Sequence, residues 1–158
     1  MTILFEEFVQ PDAEQVEPLR TALKAFNESA IGEYGATTIM VAAHSDDGKL
    51  LGAVHGWLQF GWLYVNMLWV DDAQRRRGIG TTLLERIEAF AAARGVCRSR
   101  LATSDFQPGY ALYRQRGYET YATIPIMPDE AGVDSHVEYL MWKHWSVDVP
   151  GAGRETGR

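Results

Sequence analysis

Two periods run through the apolar positions of this chain. Over residues 11–29 and again over 79–94 they recur every three or four residues, and elsewhere they come in dense runs of strand length. The first run, TILFEEFV (2–9), reads as a strand with acids in its middle. In PDAEQVEPLRTALKAFNES, Val16, Leu19, Leu23 and Phe26 share one helical face; Asp12 suits the cap with Gln15 three residues on, but Pro18 favours a start near Glu17. Residues 36–44 and 50–59 read as strands joined by SDDGK, whose Asp47-Gly48 pair suits a tight hairpin. Phe60-Gly61 turns the chain into WLYVNMLWV (62–70), apolar at almost every position, as expected of a central strand covered on both faces.

Over 79–94, Leu83, Leu84, Ile87, Phe90 and Ala91 form a helical stripe with Glu85, Arg86 and Glu88 mostly outside it, and Gly95 sits where a helix ends. A strand is expected over 96–103 and a short helix over 107–117, with Pro108 early and Gly117 as its stop. Strands 118–124 and 136–144 close the series, with a loop over 125–135. The order β-α-β-β-β-α-β-α-β-β makes the long helix a crossover between two parallel neighbours, the other strands being joined by hairpins. The fold class is α/β (an α+β mixed sheet) in a single domain over 1–146. The polar end, 147–158, lacks apolar anchors and is expected to be disordered.

Composition narrows the partners. A net charge of −6 argues against nucleic acid, which needs basic surface to neutralise phosphate. No apolar run is long enough to span a membrane, and the first ten residues lack a signal-peptide pattern. Cys97, the only cysteine, can form neither an internal disulfide nor a thiolate metal site; the natural compartment is the cytoplasm. His44 and His55 fall on adjacent strands without a third ligand, so no metal is expected, and His136 and His144 read as surface or edge residues.

One stretch of this acidic chain is cationic. Arg75-Arg76-Arg77-Gly78-Ile79-Gly80 lies between the third strand and the long helix. The first N–H groups of a helix lack internal acceptors and carry partial positive charge, glycines let an anion approach the main chain, and arginines add charge. That is the chemistry of a phosphate cradle. The bare pattern is common, and a turn with solvated arginines would also produce it.

The context around it resembles the GCN5-related N-acetyltransferase (GNAT) superfamily. MLWV precedes the loop, TTLLERIEAFAAARGV and a strand follow, and ALYRQRGYE is similar to the family's Leu-Tyr-x-x-x-Gly-Phe/Tyr signature. The resemblance covers residues 2–144. It implies the GNAT fold: a mostly antiparallel sheet with one splayed parallel pair, flanked by helices. It further implies acetyl-coenzyme A (acetyl-CoA) as co-substrate, its diphosphate on Arg75, Arg76, Arg77, Gly78, Ile79, Gly80 and Thr81, and its pantetheine arm along Leu68, Trp69 and Val70, with a bulge near Met67. Tyr113 matches the tyrosine that protonates the leaving thiolate. With a phenol near 10 and a thiol near 8.5, that transfer would be almost balanced. For the base, Asp105, Glu28 and Glu33 are the candidates; Asn66 cannot serve.

The expected activity is transfer of an acetyl group to a primary amine of a small, cationic molecule such as a polyamine or aminoglycoside. A peptide N-acetyltransferase and a non-catalytic acetyl-CoA-binding module are the alternatives. Homodimers are frequent among members, and the sequence does not decide the oligomeric state.

Overall fold

The computed structural model describes residues 3–128 and 132–146. Its contacts divide the chain into two compact units, Met1–Gly35 and Ala36–Arg158.

The first unit contains one helix, α1 (Ala13–Ile31). Asp12 and Gln15 form a capping box: the Gln15 N–H donates to the Asp12 carboxylate at 2.8 Å, and the Asp12 N–H donates to Gln15 Oε1 at 3.0 Å. This cap starts the helix four residues before the Glu17 expected from Pro18. The proline is accommodated inside α1 instead. The strand expected over 2–9 does not form in the described part, 3–9. Within its own unit α1 has no second element to pack on, and Leu19, Leu23 and Phe26 of its apolar face are exposed.

The second unit is a six-stranded sheet with two helices. In chain order it contains β1 (Thr37–His44), β2 (Leu50–Gln59), β3 (Trp62–Val70), α2 (Ile79–Ala92), β4 (Arg98–Ser104), α3 (Gly109–Gln115), β5 (Glu119–Pro128) and β6 (Asp134–His144). The spatial order is β1-β2-β3-β4-β6-β5. All neighbours are antiparallel except β3 and β4, which α2 joins as a parallel pair. The sheet is therefore mixed, as the alternation of elements predicts.

The core lies between the sheet and its helices. Val54 and Leu58 of β2, Leu63 and Val65 of β3, and Leu83, Leu84, Ile87 and Ala91 of α2 are all buried. Gly52 and Gly56 alternate with Val54 and Leu58 on β2, and a Cβ on either would come within 3.3 Å of Leu83 or Ile87. These glycines leave room for α2 to pack close to the sheet.

Three expectations need correction. The third strand is central but not covered throughout: Met67 and Trp69, which alternate with the core-facing Leu68 and Val70, are 59% and 48% exposed on the face away from α2. Glu88 does not lie outside the packed face of α2. Its carboxylate meets Lys143 Nζ of β6 at 2.7 Å, with side-chain exposures of 12% and 14%. The loop expected over 125–135 is shorter, because β5 runs on to Pro128. Pro125 and Pro128 fit there because β5 is the sheet's edge, where one side of the ladder needs no N–H donors. The 147–158 tail lies outside the described residues.

Candidate active site

The parallel pair opens almost at once. β3 and β4 register only at Leu63↔Ser99 and Tyr64↔Arg100. At that closed end Arg98 Nε donates to the Gly61 carbonyl at 2.8 Å, while the Arg98 and Arg100 guanidiniums lie over Trp62 and Tyr64 at 4.7 and 4.1 Å from the ring centres. Beyond it β4 keeps its ladder with β6, and the β3 edge facing β4 has no strand partner among the described residues.

A bulge reshapes β3 as it passes the opening. Gly56 pairs with Val65 but His55 pairs with Met67, so Asn66 is an extra residue. One inserted residue keeps the inward phase: Leu63 and Val65 before it and Leu68 and Val70 after it all point toward α2. The bulge needs Gly56, since a Cβ there would sit 2.3 Å from the Tyr64 carbonyl oxygen.

A cleft of about 690 Å³ fills the opening, a size suited to a small-molecule site. One wall is the end of β3, with Leu68, Trp69 and Val70. Its floor is the loop and helix start, with Arg75, Arg76, and residues 78–81. Facing them are Thr103 of β4 and Gln107, Leu112 and Tyr113 of the α3 segment. Thus nine of the ten residues assigned to acetyl-CoA line one cleft together with Tyr113. Arg77 does not; its guanidinium turns to Gln74 Oε1 at 2.5 Å.

The loop differs in charge from the simple reading of three free arginines. Arg75 is held by Asp72 at 2.5 Å and donates to the Val70 carbonyl at 3.3 Å. Arg76 stands in the left-handed region at φ 61° and lines the cleft with no partner among the described residues. Gly78, at φ 82°, is the N-cap of α2. In contrast to α1, no side chain caps this helix and its first turn has no acid, so its leading N–H groups remain available to an anion. At Gly80 space is tight: a Cβ would lie 3.1 Å from the tip of the Leu112 side chain and 3.6 Å from Val70, so Leu112 would have to shift by a few tenths of an ångström.

Tyr113 is 6% exposed, with its ring folded back over Gly109 and set edge-on to Tyr118. Burial pushes its phenol up to about 12. The nearly balanced proton transfer expected from ordinary values does not hold: complete transfer to a thiolate is uphill by roughly 3–4 pK units, about 5 kcal/mol. Gln107 is pinned beside it. Its Oε1 accepts from the Ser104 N–H at 3.0 Å and from the Thr103 hydroxyl at 3.1 Å, which leaves its NH₂ to donate elsewhere.

The acids behave differently from one another. Asp105 is not a cleft wall; its carboxylate meets His136 Nδ1 at 3.0 Å. His136 is a surface residue, as expected, and its pairing with Asp105 is the part not foreseen. It was missed because 31 positions separate the two, and no short motif joins them. Glu28 pairs with Lys24 one helical turn away at 3.6 Å, within the first unit, which also holds Glu33. Among the aromatics, Trp69 lines the cleft, Trp57 stacks on Tyr64, Trp62 on Trp142, and Tyr110 packs on Tyr139. Among the described residues no group of three His, Cys, Asp or Glu side chains could hold a metal.

Comparison with known proteins agrees with this geometry. The sequence profile of the acetyltransferase (GNAT) family matches residues 2–118. A blasticidin-S acetyltransferase from Streptomyces morookaense is 36% identical over 119 residues, 73% of this chain and 85% of that protein. Among solved structures, an acetyltransferase from Bacillus cereus matches with a TM-score of 0.72 at 23% identity, over 89% of this chain and 98% of that one. Nourseothricin acetyltransferase matches with a TM-score of 0.59 at 24% identity, over 68% and 65%. At such identities the structural likenesses speak to the fold; the profile and the 36% relative speak to the family. This chain belongs to the GNAT acetyltransferase family and is an acetyl-CoA-dependent N-acetyltransferase.

Proposed function

We propose that this enzyme acetylates a primary amine of a small cationic molecule, and that residues 1–146 work as one domain in the cytoplasm. The profile match from 2 to 118 crosses both compact units, which supports treating them as one working domain. The observation that carries the site assignment is the cleft itself. It gathers an uncapped helix start, an unpartnered Arg76, an unpaired strand edge and a buried phenol in one space.

In this reading the diphosphate of acetyl-CoA lies on the N–H groups at the start of α2, with Arg76 supplying the free positive charge. The pantetheine amides pair with the β3 edge over Leu68–Val70, the edge that β4 leaves open. This lays the thioester at the bulge, where main-chain N–H groups would stabilise the oxyanion. The amine lone pair attacks the carbonyl carbon, a C–N bond forms and the C–S bond breaks; one N–H proton leaves the nitrogen through a base or water and the thiolate is protonated from solvent, giving the amide and the free thiol. Tyr113 donates a hydrogen bond to the departing sulfur. With its phenol near 12, it stabilises a thiolate rather than surrendering its proton outright.

The acceptor class rests on two supports. The chain is acidic, at −6, which favours cationic partners. The relative from Streptomyces is named for blasticidin S, and one structural neighbour for nourseothricin. The test is thiol release from acetyl-CoA with blasticidin S, a streptothricin, polyamines, aminoglycosides and a lysine peptide. Release with one or more of the small cationic amines is expected. Release with the peptide alone would overturn the acceptor class.

A further inference from the structure

We infer that Asp105 and His136 form the acceptor-side base of this transferase. The inference rests on the transferase reading above and names the group that takes the ammonium proton.

The pair is built by the fold. Asp105 directly follows Ser104, the last residue of β4, and its N–H donates to the Val137 carbonyl at 3.0 Å. That bond carries the β4–β6 ladder one step beyond Ser104↔Glu138 and brings His136 alongside. His136 Nδ1 then meets Asp105 Oδ1 at 3.0 Å, and the Phe106 ring sets itself edge-on to the imidazole at 5.2 Å. A carboxylate only accepts, so Nδ1 carries the hydrogen and Nε2 keeps its lone pair in the neutral ring.

The pair follows directly on residues that line the cleft. Thr103, two residues before Asp105, and Gln107, two after it, both line the cleft with Tyr113. Gln107 also pins the turn that carries Asp105. The side of the sheet matters as well. Tyr139 and Met141 of β6 point toward the helices, where Tyr139 touches Tyr110 of α3. By strand alternation His136 and Glu138 point to the opposite side. An amine reaching the thioester from the side away from Tyr113 therefore passes the imidazole. Asp105 is the acid that meets it, at 3.0 Å.

The step balances simply. An N–H bond of the ammonium breaks and its electron pair stays on nitrogen. The proton goes to Nε2, and the Asp105 carboxylate offsets the new charge. Both side chains are about one-third exposed, at 37% and 34%, so the ring returns the proton to water between turnovers.

The test is His136→Gln, which retains a polar side chain but cannot take a proton. Turnover is measured at about pH 7.5 with the best ammonium acceptor of the amine panel and with hydroxylamine, which is uncharged there. We expect about a 100-fold loss of kcat with the ammonium acceptor, less than about threefold with hydroxylamine, and unchanged acetyl-CoA binding by calorimetry. Asp105→Asn should show the same contrast between acceptors with a smaller loss, about tenfold. Equal losses with both acceptors, or an ammonium rate within about threefold of wild type, would overturn the dyad. A wild-type protein that releases no thiol with any amine would instead overturn the acceptor reading on which it rests.

Discussion

Gly56 and the Tyr64 carbonyl are so close that a Cβ on Gly56 would lie 2.3 Å from that oxygen. The obstacle is main chain, which cannot swing aside as a side chain would, and it sits beside the bulge at Asn66. Gly56→Ala should therefore lower stability by about 3 kcal/mol in urea unfolding and weaken acetyl-CoA binding with it. Gly35→Ala is the control, with nothing within 4 Å of the added carbon. A loss within about 0.5 kcal/mol for both would show that the bulge is not fixed by this contact.

Arg76 combines strain with exposure to the cleft. A non-glycine residue at φ 61° costs roughly 1 kcal/mol. Arg76→Gly should raise the unfolding midpoint slightly while weakening acetyl-CoA binding about tenfold, because the free cation is lost. Arg77→Ala should change acetyl-CoA affinity far less, since Arg77 is turned to Gln74. Calorimetric titration of both variants checks the contrast, and equal losses would contradict it.

Much of this arrangement was legible in the sequence. The helical period of Leu83, Leu84, Ile87 and Ala91, the Gly-x-Gly after the arginines and the Tyr113 signature are short-range patterns; the first packs α2 on the sheet, and the other two meet in one cleft. Other features were not legible, for physical reasons. The capping box of Asp12 and Gln15 outweighed Pro18. Glu88 looked solvent-facing until a strand 55 positions later supplied Lys143. The proline-containing β5 was legible only once its edge position was known, and His136 only through its ladder to β4. Glu88, β5 and His136 each turn on a partner chosen by topology, which no window of one helix or strand contains.

Tyr113→Phe removes only the hydroxyl and preserves the ring that packs on Gly109 and Tyr118. If the hydroxyl stabilises the leaving thiolate by a hydrogen bond, kcat should fall about 100-fold with acetyl-CoA affinity nearly unchanged. Rapid-quench measurement of the chemical step checks this. A full-rate variant would remove Tyr113 from the mechanism.

The same burial makes stability depend on alkaline pH. Tyr113 is raised to about 12 by desolvation, and Tyr118 is raised further, by desolvation first and then by the Glu88 charge. A folded-state value above the unfolded one means the stabilisation is complete below about pH 10. For Tyr113 it is lost progressively from there toward pH 12, amounting to about 3 kcal/mol. Urea midpoints should fall from pH 10 to 12. In absorbance titration these two of the seven tyrosines should ionise only as the fold breaks.

Lys143 and Glu88 tie β6 to α2 through a pair at 2.7 Å that water scarcely reaches. Glu88 Oε1 has no partner of its own among the described residues, while Lys143 also lies near the Tyr118 and Trp145 rings, at 5.5 and 5.7 Å. Replacing one member strands the other charge in a dry site, so Lys143→Met should cost about 3–5 kcal/mol. Replacing both is different, because the desolvation of two ions is then avoided together. Lys143→Met with Glu88→Leu should recover most of the loss, so the two effects should be strongly non-additive in a double-mutant cycle. Additive losses would mean that the pair is solvated in solution and contributes little. The cycle therefore separates a buried clamp between β6 and α2 from a surface contact.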